Sequence, residues 1–282
     1  MNVHFINVGQ GNMVLIQIPA NKTILCDCNI TQSNKDDVLS YIKKALGVSE
    51  TNVLLNKYTK GSLIDIFINT HRDSDHMRGI KIIDDEFGVK EIWDTGVPGT
   101  TTDSSEYREY MNLKKIKGSE KDPLKYWDFG DCRLRLMNGK NDNFSNANEQ
   151  SFVIKLEYKG KGIMLAGDTS YRSWKEFIEI HYTKVDLSSD ILLTSHHGSI
   201  SFFDDPSDSK NYYTSHISKI NPAMSIISVG DNDTHPDSNA VKLYENHSRG
   251  SKQGNKVFTT LEKGNMLLTI DELGGWSLKC NQ

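Results

Sequence analysis

The stretch Leu63-Ile64-Asp65-Ile66-Phe67-Ile68-Asn69-Thr70-His71-Arg72-Asp73-Ser74-Asp75-His76 joins a nearly continuous apolar run to a burst of metal-ligand residue types. The apolar half suits a strand covered on both faces, because such strands need no polar alternation. The polar half places His71, Asp73, Asp75 and His76 in His-x-Asp-x-Asp-His spacing. A strand end that passes through a loop into a helix can aim such side chains at one point. Imidazole together with carboxylate suits borderline cations such as Zn²⁺ or Mn²⁺. A polar turn with Asp73 or Ser74 capping the next helix, and His71 exposed, accounts for the same residues.

Two further strand ends weigh against that plain turn. Gly162-Ile163-Met164-Leu165-Ala166-Gly167-Asp168 sets an aspartate behind a glycine just past a buried run. Ile191-Leu192-Leu193-Thr194-Ser195-His196-His197-Gly198-Ser199 repeats the arrangement with two histidines. Each is ordinary alone: Asp168 can cap a helix, and His196-His197 can be a satisfied turn. Converging on one sheet edge, they build a dinuclear site with Asp168 between two ions.

Outward from these ends the chain alternates between elements. Strands are expected at Val3–Asn7, Met13–Ile18 and Thr23–Asp27, the first two joined by Gly9-Gln10-Gly11. Val38, Ile42 and Leu46 recur at helical spacing. After Leu124, strands are expected at Tyr126–Phe129, Arg133–Met137, Phe152–Tyr158 and Gly162–Ala166, then at Asp190–Thr194 and Ala223–Val229. Helices are expected at Tyr171–Ile180, Tyr212–Ile220 and Ser238–His247, with closing strands near Val257, Met266 and Trp276. This pattern predicts an α/β fold, a four-layer αββα sandwich of two mixed sheets flanked by helices. One domain is expected over residues 1–282, with 94–124 as a lid or insertion over one end of a sheet. The helix expected at Glu106–Lys117 would expose Lys114, Lys115 and Lys117. These lysines could line a phosphate path, although a solvated helix face is the commoner explanation. Tyr107, Tyr110, Tyr126 and Trp127 could stack on bases, or simply pack half-buried. His181, His216 and His247 lack a partner motif and read as structural.

The chain has 282 residues and a formal charge of −4, with 37% hydrophobic and 25% charged residues. That is the composition of a globular protein, and it excludes a broadly basic nucleic-acid binder of the histone kind. A local basic groove around a metal-loaded acidic site stays compatible with it. No run approaches ~18 apolar residues and no leader-like segment opens the chain, so a cytoplasmic address without membrane contact is expected. Cys26, Cys28, Cys132 and Cys280 form no CxxC pair and read as reduced thiols.

These motifs together resemble the metallo-β-lactamase fold, and within it the hydrolase domain of the bacterial DNA-uptake channel protein ComEC and its stand-alone relatives. The resemblance rests on Phe5-Ile6-Asn7-Val8-Gly9-Gln10-Gly11-Asn12, Thr23-Ile24-Leu25-Cys26-Asp27, the His71 to His76 motif and Asn148-Glu149-Gln150-Ser151. Gly167-Asp168, His196-His197-Gly198-Ser199, Ser228-Val229-Gly230 and His235-Pro236 complete it. It implies two divalent ions, Zn²⁺ or Mn²⁺, with His71 and Asp73 on one and Asp75 and His76 on the other. Asp168 would bridge them, His196 would complete the second ion's ligands, and Asp27 would orient ligands from behind. The motif alone does not separate His196 from His197. His197 and His235 are expected near the substrate, handling protons or contacting a phosphate, with Asp75 also in the catalytic set. Asn12 stands where relatives usually carry Asp. Asn29 stands where the loop after Asp27 often has Gly, and Asn tolerates the left-handed backbone such a turn needs. The implied activity is a two-metal phosphodiesterase or nuclease acting on DNA or RNA. Alternatives with the same site are hydrolysis of a small phosphodiester, a thioester or a lactam. A protein partner from a competence or anti-phage operon is also conceivable.

Overall fold

The computed structural model describes residues 1–59, 61–208, 210–231, 234–250 and 256–281. Alternation of side chains along the strands dictates two packed sheets. In the strand Ile64–Ile68, Ile66 and Ile68 enter the central core while Phe67 turns to the other face, where it meets helices. Both faces are thus apolar, as the unbroken sequence run requires.

The first sheet has eight strands in the order Trp276–Cys280, Met266–Ile270, Asn2–Phe5, Val14–Ile18, Lys22–Cys26, Ile64–Ile68, Val89–Asp94 and Gly118–Glu120. Pairing is antiparallel up to Lys22–Cys26 and parallel beyond it. The second sheet has seven, in the order Val257–Thr259, Met224–Ile227, Ile191–Leu193, Lys161–Leu165, Ile154–Tyr158, Cys132–Leu136 and Lys125–Phe129. Its first four strands run parallel and the rest antiparallel. The sheets pack face to face through Phe5, Ile16, Ile68, Leu134, Leu156 and Ile226. Outside the first sheet, Lys35–Leu46, Ile80–Phe87 and Ser105–Lys117 supply Ile42, Ile83 and Tyr110 to a second core. Outside the second, Trp174, Ile217 and Tyr244 do the same. The fold is therefore the expected α/β arrangement of two mixed sheets flanked by helices.

Several local expectations shift. The helix expected at Tyr171–Ile180 runs to His181 and contains a π-helical turn at Trp174–Ile178. The helix expected from Tyr212 begins only at Ser215. Within 94–124, Ser105–Lys117 packs as an outer-layer helix, capped at Ser104, and Gly118–Glu120 extends the first sheet. From this segment Thr100 reaches Asp73, and Glu106 and Tyr107 reach Arg78 and Arg72 beside it. The lysines there are largely neutralised. Lys114 lies 2.7 Å from Glu120 and 3.4 Å from Asp94, Lys117 lies 2.6 Å from Asp84, and Lys121 lies 3.2 Å from Glu91. Lys115 stays exposed. The aromatic residues are engaged as well: Tyr110 is buried with its hydroxyl donating to Asp94, and Trp127 packs on Trp93. Cys26, Cys28 and Cys132 are buried thiols. No helix among the described residues is long and apolar enough to cross a membrane.

Candidate metal centre

The site forms where parallel strands of both sheets end. Ligands collect at carboxyl ends of parallel strands because the chain must leave the sheet there and the loops converge. Ile64–Ile68 delivers the His71 to His76 loop, Lys161–Leu165 delivers Asp168, Ile191–Leu193 delivers His196 and His197, and Lys22–Cys26 delivers Asp27. Gly167 turns the chain at φ +55, and a Cβ there would meet Ser151 Oγ at 2.2 Å. The tight turn leaves the Asp168 backbone N–H donating to Ser151 Oγ at 3.2 Å.

Asp75, His76, Asp168 and His197 each present a ligand atom within 4.8 Å of the others. His76 Nε2 lies 3.2 Å from Asp168 and 3.8 Å from Asp75, while His197 Nε2 lies 3.3 Å from Asp75 and 3.4 Å from Asp168. Their tautomers are set from behind. His76 Nδ1–H donates to Asp27 Oδ2 at 2.7 Å, and His197 Nδ1–H donates to the Ser228 carbonyl at 2.8 Å. Both Nε2 atoms therefore face the cluster, as ligating histidines do when a second group fixes the ring. Asp27 is itself held by Thr70, whose N–H and O–H donate to its two oxygens at 2.7 Å each.

His71 and Asp73 stand beside this group. His71 Nε2 is 3.7 Å from Asp73 Oδ2 and 4.0 Å from Asp168 Oδ2. Asp73 Oδ1 accepts from the Thr100 N–H at 2.8 Å and its hydroxyl at 2.9 Å. The approach requires Gly99, where a Cβ would lie 1.9 Å from the Arg72 carbonyl oxygen. Asp168 thus lies between a compact group and a sparser one.

Of the two adjacent histidines, which the motif does not separate, His197 and not His196 joins the cluster. His197 is buried in the cluster, whereas His196 keeps a 31% exposed side chain and lies 4.0 Å from Asp168. Both residues have left-handed backbones, φ 48 and φ 51, so the chain curls and sends successive rings in different directions. His196, rather than His197, stands beside His235, at 6.0 Å between ring centres. A second correction concerns the turn after Lys22–Cys26. Asp27, not Asn29, takes the left-handed conformation, at φ 55. Asn29 continues as extended backbone bridged to Arg78. Asn12 is buried, and its N–H reaches the Asp75 carbonyl at 3.4 Å. Sequence reading gave no role to Thr70, Thr100 or Ser228, because residue type alone does not mark a hydroxyl or backbone carbonyl that supports a site.

Charge in the cluster is tightly coupled. Burial alone would raise the Asp168 and Asp75 pKa values, but the His76 and His197 cations hold both below the ordinary range. Burial would lower His76, yet Asp168, Asp27 and Asp75 hold it well above its usual value. His197 sits at about 9: burial opposes its charge, and Asp168 and Asp75 outweigh that opposition. Burial and the neighbouring His76 push His71 down. Burial, then His196 and His197, lower His235.

The donors fit a metal. His71 Nε2, His76 Nε2, His197 Nε2 and Asp168 Oδ1 are buried without a hydrogen-bond partner among the described residues. Orphaned buried polar atoms cost ~1–3 kcal/mol each, so four converging ones call for a common partner. A cavity of about 210 Å³ reaches Asp168, and its lining includes Thr100, Asn148, Ser170, His196, Ser201 and Phe202.

Fold and site agree with the comparisons. Residues 6–223 match the metallo-beta-lactamase superfamily, and the chain belongs to it. Among curated proteins none matches by sequence. Solved structures show the same fold at low identity. The metallo-beta-lactamase fold protein YhfI from Bacillus subtilis superposes with a TM-score of 0.54 at 12% identity, over 98% of this chain and 99% of that one. Igni18, a metallo hydrolase from the archaeon Ignicoccus hospitalis, gives 0.53 at 13% identity over 99% and 98%. Zn²⁺-bound PqqB from Methylobacterium extorquens gives 0.55 at 9% identity over 93% and 88%. The superfamily consists mainly of metal-dependent hydrolases, commonly with two divalent ions, and this chain carries the corresponding cluster.

Proposed function

We propose that the protein is a metal-dependent phosphodiesterase whose substrate is a nucleic acid strand. The observation that carries this reading is the buried cluster of Asp75, His76, Asp168 and His197, with a cavity beside Asp168 that is lined by polar groups of Thr100, Asn148, Ser170, His196 and Ser201 together with Phe202. Hydroxyl, amide and imidazole groups there can donate to phosphoryl oxygens. The motif resemblance to the DNA-uptake hydrolase domain supports the polymer as substrate.

Divalent ions held there would supply Lewis acidity and lower the pKa of a water toward ~7. In this reading His71 and Asp73 would hold one ion and Asp75, His76 and His197 the other, with Asp168 available to both. Asp27 and Ser228 fix the rings, so that little reorganisation is needed during turnover. Thr100, Ser170 and Ser201 bind and orient the phosphodiester. His196 and His235 lie beside the cluster and move protons: burial lowers the His235 pKa, so its neutral ring can take the proton released by the attacking water and pass it to the departing oxygen.

A small phosphodiester is the second reading, favoured by a cavity of only about 210 Å³. The test incubates the metal-loaded protein with single- and double-stranded DNA, RNA and bis-p-nitrophenyl phosphate. Cleavage should require Mn²⁺ or Zn²⁺ and stop with EDTA. Asp75→Ala should lower the rate by at least about 10²-fold by removing a ligand from the compact group. Cleavage of bis-p-nitrophenyl phosphate alone selects the second reading, and metal-loaded protein inert on every phosphodiester refutes both.

A further inference from the structure

His71 and Asp73 are carried by a short stretch that the sheet no longer holds. The ladder between Ile64–Ile68 and Val89–Asp94 stops where the Asn69 N–H donates to the Trp93 carbonyl at 2.9 Å. Just beyond, Thr70 is fastened to Asp27 and accepts from the Phe152 N–H, and at the far end Asp73 is tied to His76 and Thr100. Between them, neither His71 nor Arg72 makes a backbone hydrogen bond among the described residues. The His71 ring is also held more loosely than the other two. Its Nδ1 has only hydroxyls, Thr70 Oγ1 at 3.2 Å and Ser151 Oγ at 3.5 Å, where His76 has a carboxylate at 2.7 Å and His197 a carbonyl at 2.8 Å.

The Arg72 side chain leaves the chain between the two ligands and is 4% exposed. Its Nε–H donates to Asp94 Oδ2 at 2.9 Å. Asp94 is a fixed anchor, fully buried and gripped from several sides. The Tyr110 O–H donates to Oδ2 at 2.7 Å, the Gly96 N–H donates to Oδ1 at 3.0 Å, and Lys114 Nζ lies 3.4 Å from Oδ1. The Tyr107 hydroxyl lies 3.5 Å from Arg72 Nη1. Tyr107, Tyr110 and Lys114 recur at i, i+3 and i+7, so one face of the helix Ser105–Lys117 brings all three polar tips to this pair. Stability alone explains the pair poorly. It is a single bond rather than a fork, and Arg72 Nη2 is buried with no partner among the described residues. A buried ion pair with an unfilled donor adds little net stability over an apolar side chain of similar size. A directional bond between two ligands does something an apolar chain cannot: it fixes where they stand.

Resting on the metal-dependent reading above, we infer that Arg72 is a positioning residue: through its bond to Asp94, braced by Tyr110, it holds His71 and Asp73 in place for the ion they would share with Asp168. The helix expected as part of a lid then acts on the site from behind.

The probe is Mn²⁺ alone, counted on the full chain by calorimetry and by electron paramagnetic resonance. Wild type should bind two equivalents and show an exchange-coupled pair. His71→Ala should keep one, which marks the equivalent that belongs to His71. Arg72→Met/Asp94→Asn replaces the ion pair by a neutral pair of similar size and leaves no buried charge alone. It should melt near wild type, keep the equivalent that His71→Ala keeps, and bind the other about 10–100-fold more weakly, with loss of the coupled signal. Tyr110→Phe keeps both charges and the ring packing and removes one bond to Asp94. It should weaken the same equivalent by a smaller factor, and it decides the matter if the double variant does not fold. Wild-type affinity for both ions in Tyr110→Phe, or in a folded double variant, would overturn the inference. So would equal weakening of both equivalents, the result of a merely loosened fold, or a wild type that binds fewer than two. Because these readouts count ions, a protein that loads as described yet cleaves no phosphodiester would refute the proposed activity and leave the role of Arg72 standing.

Discussion

Asp27→Asn tests whether the ring behind the cluster is held in the tautomer that metal binding needs. The Asp27 carboxylate accepts three bonds of 2.7 Å: from Thr70 N–H, Thr70 O–H and His76 Nδ1–H. Bonds to a charged group contribute about 1.5–3 kcal/mol each, so stripping all three with alanine removes about 5–9 kcal/mol. That approaches the whole stability of an ordinary domain, about 5–15 kcal/mol, and such a variant would misfold. Asparagine avoids this outcome. Its shape is the same, and it tolerates the left-handed backbone that residue 27 adopts at φ 55. The fixed Thr70 N–H forces the amide oxygen to take the place of Oδ1, so the amide N–H₂ must face His76 Nδ1. A donor there moves the imidazole proton to Nε2, the atom that faces Asp168 and the metal. Disturbing the group behind a ligating histidine typically costs about 10–100-fold in metal affinity. The assay is competition for Zn²⁺ with a chromophoric chelator, beside circular dichroism to verify folding. A folded Asp27→Asn protein whose affinity lies within about threefold of wild type would refute the tautomer argument.

Two other expectations concern stability. In the metal-free protein the His197 pKa is raised to about 9 from 6.5, so its stabilising contribution is full below about pH 6.5 and vanishes as pH rises through about 9. The swing is about 3 kcal/mol. Chelator-treated protein should melt several degrees lower at pH 9.5 than at pH 6, with a much smaller slope after metal loading, and a flat profile in the metal-free protein contradicts it. His216→Phe should stabilise the fold by about 1 kcal/mol or more, because both ring nitrogens are buried without a partner among the described residues, amid Trp174, Phe202, Phe203 and Tyr213. Burial holds the His216 pKa well below its usual value, so wild type should lose stability as pH falls below about 6.5, and the variant should lose less. A urea midpoint lower in the variant at pH 7 would count against this account.

The sequence determined by itself whatever depends on local periodicity. The unbroken run at Ile64–Ile68 needed cover on both faces and has it, and the strand-end positions of His71, Asp75, His76, Asp168 and the histidine pair followed from apolar runs that stop short of them. Tertiary structure alone decided matters of direction and of partners distant in the chain. His196 and His197 are neighbours of one residue type, and only the left-handed curl sends the second inward and the first to the mouth. Lys114 and Lys117 resembled a free basic face until folding brought Asp94, Glu120 and Asp84 to them. Thr100 belongs to no motif, and the Asn148 motif does not say where its side chain goes. They become part of the site because loops from separate strands close on one cavity, and burial turns an ordinary hydroxyl or amide into a group that must find a partner.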